Sequence, residues 1–268
     1  MVDLRDAAAV AAVVAEIRPD RVIHLAAQAF VPASFANPHE TFDINFTGTY
    51  NLLAGLKAAG FKGRMLYVGS GDTYGLVPPE RLPVLESQPL LPRSPYAVSK
   101  VAAEALCYQW SQTEAFKIVL ARPFNHIGPG QSRQFALPDF ARQIVEIKLG
   151  RRPPVLSVGD IDVTRDFTDV RDVARAFALL LERGANGEAY NVCSGAEVSL
   201  REIIGMLMAA AGVEARIEQD PARVRMAEQR RMLGSNIKLA TATGWRPEIG
   251  LRQSVADIID YELKGVLA

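Results

Sequence analysis

The stretch MLYVGSGDTYG, residues 65–75, decides the fold. It opens with a short, continuous apolar run and ends in glycine, serine and aspartate, the pattern of a buried strand that ends in a tight turn. A strand that is apolar on both faces is typical of a parallel sheet covered by helices on both sides. The turn sets Ser70 and Asp72 at the carboxyl end of this strand, so they are candidate site residues.

Helix and strand patterns alternate on both sides of this stretch. The predicted segments are helices at residues 5–17, 39–59 and 95–115, and strands at residues 22–26 and 117–122. Ser94 is an N-cap candidate for the third helix, because Pro95 follows it at the first helical position. Buried strands that alternate with helices of about ten residues or more predict a doubly wound, Rossmann-like α/β core.

Shorter elements follow Asn125. We predict strands at residues 154–158, 189–194 and 215–219, and helices at residues 137–149, 170–183, 199–211 and 251–264. We interpret residues 1–125, with returning segments at about 155–195, as the dinucleotide-binding core. The remaining segments, about 126–154 and 196–268, are predicted to form a smaller mixed α/β lobe for the substrate.

The beginning of the chain departs from the usual pattern. A doubly wound nucleotide-binding fold opens with a strand, a G-x-G-x-x-G turn and a helix whose N-terminal amides hold the pyrophosphate. This sequence has no such turn and begins in a helix pattern. We therefore expect that one βαβ unit of the core, roughly 30 residues or more, is missing. An inactive fragment without a pyrophosphate loop is one hypothesis that this leaves open.

Composition excludes several classes of partner. Thirty basic residues balance thirty acidic ones among 268, so the net charge favours neither a nucleic acid nor an anionic membrane. The two cysteines, Cys107 and Cys193, lack metal-ligand spacing and fit a reducing compartment. The apolar run at residues 7–15 is too short to span a bilayer, and acidic residues precede it. We expect a cytoplasmic protein without a metal.

The segment SPYAVSK, residues 94–100, sets Tyr96 and Lys100 one helical turn apart on the same face. A tyrosine hydroxyl titrates near ~10, and a nearby ammonium favours the phenolate and lowers that pKa towards neutrality. Ligands of open α/β sheets bind outside the carboxyl ends of the strands, where Ser70 also lies. We therefore predict that Ser70 polarises a carbonyl, Tyr96 transfers a proton and Lys100 tunes Tyr96. The same spacing also arises by chance on surface helices.

Six motifs occur in this order along the chain, and the similarity that they indicate covers nearly the whole chain: HLAAQ, DINFTGTYNLL, YVGSGDTYG, SPYAVSK, RPFNHIGPGQ and RDFTDVRDVARAF. In this order they resemble the extended short-chain dehydrogenase/reductases, which are NAD(P)-dependent enzymes. Within that family the chain is similar to the GDP-sugar branch, the GDP-mannose 4,6-dehydratases and, more closely, the GDP-6-deoxy-4-keto-mannose reductases. FNHIGPGQ, IKLG and GDIDVTRDFTDVRDV carry the closer match.

The resemblance implies roles for individual residues. It makes Ser70, Tyr96 and Lys100 catalytic, with Asp72 beside them and Lys100 also holding the nicotinamide ribose. The residues implied to contact NADP or NAD are Asp3, Leu4, Leu25, Ala26, Ala27, Asn45, Tyr96, Lys100, Pro123 and His126. Those implied to contact a GDP-sugar are Ser70, Asp72, Asn125, Arg165, Arg225 and Glu228.

Within these sets, the resemblance has Asn45 support Lys100 through the helix backbone. The arginines Arg165 and Arg225 clamp the substrate diphosphate, a task suited to bidentate guanidinium forks. Glu228 binds the nucleoside ribose, although the usual Arg-Pro before it reads Arg225-Met226 here. The resemblance further implies a homodimer in which long helices pair between subunits.

Asp72 bears on the type of reaction. In relatives that dehydrate, the strand-end motif reads Thr-x-Glu and the glutamate is the acid/base, whereas this chain has Ser70-Gly71-Asp72. A carboxylate misplaced by about 1 Å costs on the order of 10²-fold in rate. We therefore predict NAD(P)H-dependent reduction of the C4 keto group of GDP-4-dehydro-6-deoxy-D-mannose to GDP-D-rhamnose. A GDP-mannose 4,6-dehydratase, or another nucleotide-sugar epimerase or dehydratase, is the alternative.

Overall fold

Helices and strands alternate along most of the chain in a computed structural model that describes residues 2–223 and 229–267. The helices are α1 Ala7–Ile17, α2 Val31–Ala36, α3 Pro38–Phe42, α4 Gly48–Ala58, α5 Pro95–Thr113, α6 Ala136–Lys148, α7 Val170–Arg183, α8 Leu200–Ala211, α9 Ile237–Thr243 and α10 Leu251–Leu267. The strands are β1 Arg21–His24, β2 Arg64–Val68, β3 Lys117–Pro123, β4 Asn125–Ile127, β5 Val155–Val158, β6 Thr164–Asp169, β7 Ala189–Val192, β8 Glu197–Ser199 and β9 Arg216–Gln219.

The main sheet has the strand order β1-β2-β3-β7, and every pair is parallel. Its register aligns Ile23 with Leu66, and Leu66 with Val119. The two central strands are buried on both faces, whereas Ile23 on β1, at one end of the strand order, is 41% exposed. The predicted doubly wound parallel sheet is thus confirmed, with continuous apolar runs where the strands are central.

Alternate residues of β2 pack against two different helical layers. Met65 and Tyr67 join α1, α4 and α5 in one apolar cluster, whereas Leu66 joins α7 and α9 in another. Since side chains of a strand point alternately to opposite faces, each layer receives every second residue. Trp245, fully buried beside α7, completes the second layer.

A separate apolar cluster joins α6, α8 and α10 with the small sheets β4-β6-β8 and β5-β9. In the small sheets β4 and β6 are parallel, β6 and β8 are antiparallel, and β5 and β9 are parallel. The strand β7 and the helix α7 pack on the main sheet instead. The proposed division into a core of residues 1–125 and about 155–195, and a substrate lobe, stays a prediction.

The helix predicted at residues 39–59 is interrupted. A π-helical turn, Asp43–Thr47, separates α3 from α4. The Thr49 hydroxyl donates to the Asn45 carbonyl oxygen at 2.6 Å, and a side chain that inserts into the helical ladder is a common cause of such a bulge. π-Turns are frequent at functional sites.

Other helix and strand predictions hold within a few residues. The Ser94 hydroxyl accepts from the Ala97 amide at 3.1 Å, which confirms the predicted N-cap of α5. The three-residue strands β4 and β8, and the short helices α2 and α9, were missed because they are too short for a periodic pattern. The strand β6 was also missed, because its sequence TRDFTD is mostly polar and has no continuous apolar run. Among the described residues, no helix combines the length and apolar character needed to cross a membrane.

Candidate active site

The carboxyl ends of β1, β2 and β3 meet at one edge of the main sheet, and the start of α5 packs beside them. Ser70 follows β2 and caps the 3₁₀ turn Gly71–Tyr74, since its hydroxyl accepts from the Asp72 amide at 3.1 Å. Tyr96 is the second residue of α5. The Ser70 side chain lies close enough to the Tyr96 phenol to lower its pKa. The structure therefore brings together the strand-end serine and the helical tyrosine that the sequence predicted to converge.

The acidity of Tyr96 differs from our expectation. The Tyr96 pKa is raised to about 12, because burial raises it more than the Ser70 side chain lowers it, and the negative charge of Asp72 adds to the rise. Lys100 is not among the causes of this shift, so the tuning of Tyr96 by Lys100 stays a prediction. The side chain of Lys100 is directed elsewhere: its Nζ donates to the Val68 carbonyl at 2.8 Å and lies 5.3 Å from the centroid of the Tyr67 ring.

Lys100 is itself strongly affected by its surroundings. It is 5% exposed, and burial lowers its pKa to about 8, while Cys107 and Glu104 act in the opposite direction. Its neighbour His24 is neutral at physiological pH, because burial and then the charge of Lys100 lower the His24 pKa to about 4. Lys100 can therefore exchange a proton within about one pH unit of neutrality.

Asn45 ties the loop after β1 to the helix α5. Its Oδ1 accepts from the Gln28 amide at 2.8 Å, and its Nδ2 donates to the Gln28 carbonyl at 3.1 Å and to the Ser99 hydroxyl at 2.9 Å. The Asn45 carbonyl accepts from Thr49. The expected support of Lys100 through the helix backbone is not among these contacts, and Asn45 instead fixes the strand-end loop.

The loop after β1 fits a bound dinucleotide. Its side chains are small at Ala26 and Ala27, and Leu25 is 61% exposed at the crevice. The Gln28 Oε1 atom is buried and, within the described part of the chain, has no hydrogen-bond partner. A buried acceptor without a partner costs free energy unless a ligand or water supplies a donor. Ribose hydroxyls of a nicotinamide cofactor would supply such donors.

The outer residues implied for the cofactor lie in different surroundings. Asp3 is exposed and pairs with Arg5 at 2.6 Å, and this hydrogen bond lowers the Asp3 pKa to about 2. Leu4 packs closely on Gly48. A Cβ atom added at Gly48 would lie 3.0 Å from the Cβ atom of Leu4. Pro123 ends β3 and is buried. Their contact with a cofactor stays a prediction.

Of the residues implied for the sugar nucleotide, Ser70 and Asp72 lie in the turn after β2, Asn125 lies on β4 and Arg165 lies on β6. Asn125 and His126 are exposed, and the Nδ1 atom of His126 is 3.1 Å from the Phe124 carbonyl oxygen. Arg165 is half-buried, and its Nη1 donates to the Thr164 carbonyl at 2.8 Å. Arg225 and Glu228 lie outside the described residues. Among the described residues, no group of three or more His, Cys, Asp or Glu could hold a metal ion.

A parallel α/β sheet with Ser70, Tyr96 and Lys100 at its carboxyl edge defines the class of the extended short-chain dehydrogenase/reductases. Within that class, the chain belongs to the GDP-mannose 4,6 dehydratase family, whose sequence model matches residues 1–258. The resemblance inferred from the ordered motifs is confirmed.

Three individual proteins are similar to this chain over most of its length. The chain is 54% identical over 245 residues to the GDP-6-deoxy-D-mannose reductase of Pseudomonas aeruginosa, with 91% of this chain and 81% of the relative aligned. The structure of RMD from Pseudomonas aeruginosa complexed with NADPH superposes with a TM-score of 0.95 and 49% identity, over 99% of this chain and 88% of that one. The NAD complex of UDP-glucose 4-epimerase from Thermus thermophilus gives a TM-score of 0.86 and 32% identity, over 97% and 83% of the two chains.

Proposed function

We propose that this protein uses NADPH to reduce the C4 keto group of GDP-4-dehydro-6-deoxy-D-mannose, which yields GDP-D-rhamnose. The 54% identity to a GDP-6-deoxy-D-mannose reductase supports the substrate, and the superposition on an NADPH complex supports the cofactor. The observation that carries the proposal is the placement of Ser70 at the turn after β2 beside Tyr96 at the start of α5, the helix that also holds Lys100.

In the proposed mechanism, bound NADPH supplies the hydride for C4. The Ser70 hydroxyl is fixed by the Asp72 amide and polarises the C4 carbonyl oxygen. Tyr96 donates its proton to that oxygen as the alcohol forms. The pKa of about 12 keeps Tyr96 protonated at neutral pH, so it is ready to act as an acid. The buried Lys100 stabilises the tyrosinate left behind and returns a proton.

The raised Tyr96 pKa and the short side chain of Asp72 favour reduction over dehydration. Burial, and to a smaller extent the charge of Asp72, raises the Tyr96 pKa, which holds the proton on the phenol. A reductase needs that proton, whereas an enzyme that first oxidises the sugar at C4 needs the phenolate as a base. Asp72 is also one methylene shorter than the glutamate of the dehydratase motif, so we assign it to positioning the turn and the substrate.

The remaining assignments follow the family resemblance. Asn125 and Arg165 contact the sugar nucleotide together with Arg225 and Glu228, and the loop Leu25, Ala26 and Ala27 lies along the adenosine and pyrophosphate. We also propose a cytoplasmic homodimer. Tyr108 on α5 and Tyr50 on α4 are 52% and 49% exposed, which suits two long helices that pair between subunits.

The proposal is tested by incubating the chain with NADPH and the GDP-4-keto-6-deoxy sugar. We expect one NADPH oxidised per GDP-D-rhamnose formed, and oxidation slowed by about 10³-fold with Tyr96→Phe. A 4,6-dehydratase or an epimerase recycles its cofactor, so turnover without net NADPH oxidation would contradict the proposal. Calorimetric titration with NADPH separates these outcomes from an inactive fragment, which would not bind the cofactor at submillimolar concentration.

A further inference from the structure

A buried ion pair lies directly behind the candidate site. Glu104 is one helical turn beyond Lys100 on α5, and Arg122 lies near the end of β3. Arg122 donates from Nε and Nη2 to the Glu104 carboxylate, with a closest approach of 2.5 Å. Only 8% and 6% of the two side chains are exposed. The pair therefore lies in a low-dielectric environment, where polar groups need partners.

The rest of the Arg122 fork reaches the turn after β2. Its Nη1 donates to the Tyr74 hydroxyl at 2.8 Å and to the Glu86 carbonyl at 3.2 Å. The Tyr74 hydroxyl in turn donates to Asn191 Oδ1 at 2.7 Å, so it accepts one hydrogen bond and donates one. The guanidinium carbon also lies 5.1 Å from the centroid of the Tyr74 ring. This network joins α5, β3, β7 and the turn Gly71–Tyr74.

Two contacts connect the network to the reacting hydroxyls. Tyr74 is the last residue of the turn that Ser70 caps and that contains Asp72. At the other end, a Cβ on Gly69 would lie 3.2 Å from Glu104 Oε2, so the carboxylate packs against the backbone just before Ser70. Since Glu104 also belongs to the helix of Tyr96, the same ion pair touches both elements that carry Ser70 and Tyr96.

Resting on the proposed function, we propose that Glu104, Arg122 and Tyr74 are positioning residues that fix the Ser70 turn against α5. A gain in stability is a weak explanation for this ion pair, because desolvation offsets much of the attraction between buried charges. A fully satisfied buried network selects one arrangement of the elements that it joins. Here that arrangement sets the distance between the serine and tyrosine hydroxyls.

The carboxylate also acts on Lys100. The titratable groups around Lys100 are His24 on β1, Tyr67 on β2, and Tyr96, Glu104 and Cys107 on α5, with Arg122 on β3 paired to Glu104. Burial lowers the Lys100 pKa, and the negative Glu104 opposes this shift. Removal of the charge at position 104 therefore lowers the Lys100 pKa further, so the cationic form is lost at a lower pH.

The first experiment measures kcat for Tyr74→Phe, which removes only the bridging hydroxyl. We expect about a tenfold loss of kcat with KM changed less than about twofold, because sub-ångström misplacement of reacting groups is costly in rate. The matched control is Tyr190→Phe, a buried tyrosine of β7 whose hydroxyl accepts from the Ala185 amide at 3.0 Å. Equal kcat for Tyr74→Phe and the control would overturn the proposal.

The second experiment follows NADPH affinity against pH by calorimetry and needs no turnover. Affinity falls as Lys100 loses its proton, and we expect Glu104→Gln to move this alkaline limb to lower pH by about half a unit or more. Glu262→Gln, which removes another buried, paired carboxylate on α10, is expected to leave the limb in place. A Glu104→Gln limb that coincides with that of the unaltered protein overturns the positioning proposal alone.

The two proposals fail in different ways. A protein that binds NADPH but does not reduce the sugar contradicts the proposed function, while the pH limb still tests Glu104. If Glu104→Gln does not fold, because Arg122 is left buried without its partner, the kcat of Tyr74→Phe decides the matter. Thermal unfolding of each variant and its control shows whether a loss of activity comes from misplaced catalytic groups or from unfolding of the protein.

Discussion

The two walls of the candidate site are held in different ways. In the wall formed by the turn after β2 and by α5, Ser70, Tyr96 and Lys100 are 9%, 8% and 5% exposed. In the wall that we assign to the sugar nucleotide, Asn125 is exposed and Arg165 is half-buried. Groups that transfer protons need a fixed geometry and altered pKa values, which burial provides. Recognition of a charged ligand needs accessible donors, which the second wall offers.

The largest loss of kcat is expected at Tyr96, the proton donor in the buried wall. Tyr96→Phe keeps the ring in its place and removes the only group that we assign as proton donor, so kcat falls by about 10³-fold, in the range of general acid catalysis. Calorimetry should give an NADPH affinity within a few-fold of that of the unaltered protein. Retention of a tenth or more of kcat would show that another group donates the proton.

A smaller loss of kcat is expected at Ser70, which polarises the C4 carbonyl of the substrate. Ser70→Ala removes the hydroxyl that polarises the C4 oxygen, and the loss of one such donor costs on the order of 10² in kcat. Ser94→Ala, which removes the N-cap hydroxyl of α5, serves as the control for a lost serine near the site. If steady-state kinetics give the two variants the same kcat, Ser70 has no role in the reaction.

The exposed wall should respond in KM rather than in kcat. Arg165→Ala removes a charged donor to the diphosphate, and we expect KM for the sugar nucleotide to rise about tenfold, the cost of one hydrogen bond to a charged group. Its kcat should change less than about twofold. Arg216→Ala, on the small sheet β5-β9, is the control. A fall in kcat at unchanged KM would remove the contrast between the two walls.

The smallest effect on kcat is expected at Asn45, which holds the loop after β1 through the Gln28 amide. Asn45→Ala leaves the Gln28 amide without its side-chain acceptor, and an unsatisfied buried donor costs about 1–3 kcal/mol of unfolding free energy. We expect a lower unfolding midpoint in denaturant and an NADPH affinity reduced several-fold, with little change in kcat. An unchanged NADPH affinity would exclude a role for the Gln28 loop in cofactor binding.

Local patterns were enough to predict the sheet, the helices around it and the convergence of Ser70 with Tyr96. Each of these depends on residues close in sequence or on the rule that parallel strands end at one edge. The spacing of Tyr96 and Lys100 did not predict that the Tyr96 pKa is raised in this structure, because the spacing does not show where the Lys100 ammonium points or how deeply the phenol is buried.

The network behind the site was missed because its members are distant in sequence. Tyr74 and Asn191 are separated by 117 positions, and Glu104 and Arg122 by 18. The one local signal is that Tyr96, Lys100 and Glu104 recur every fourth residue, which sets three ionisable side chains on one face of α5. A charged residue on the buried side of a catalytic helix is therefore a reason to search for a partner.

The most direct test of the reduction is the fate of the hydride. NADPH that carries deuterium at both hydrogen positions of C4 of the nicotinamide is given to the chain with the GDP-4-keto-6-deoxy sugar, and the product is examined by NMR and mass spectrometry. The account predicts one deuterium in each GDP-D-rhamnose, at C4 of the sugar. Product without deuterium, or with deuterium at another carbon of the sugar, would contradict it.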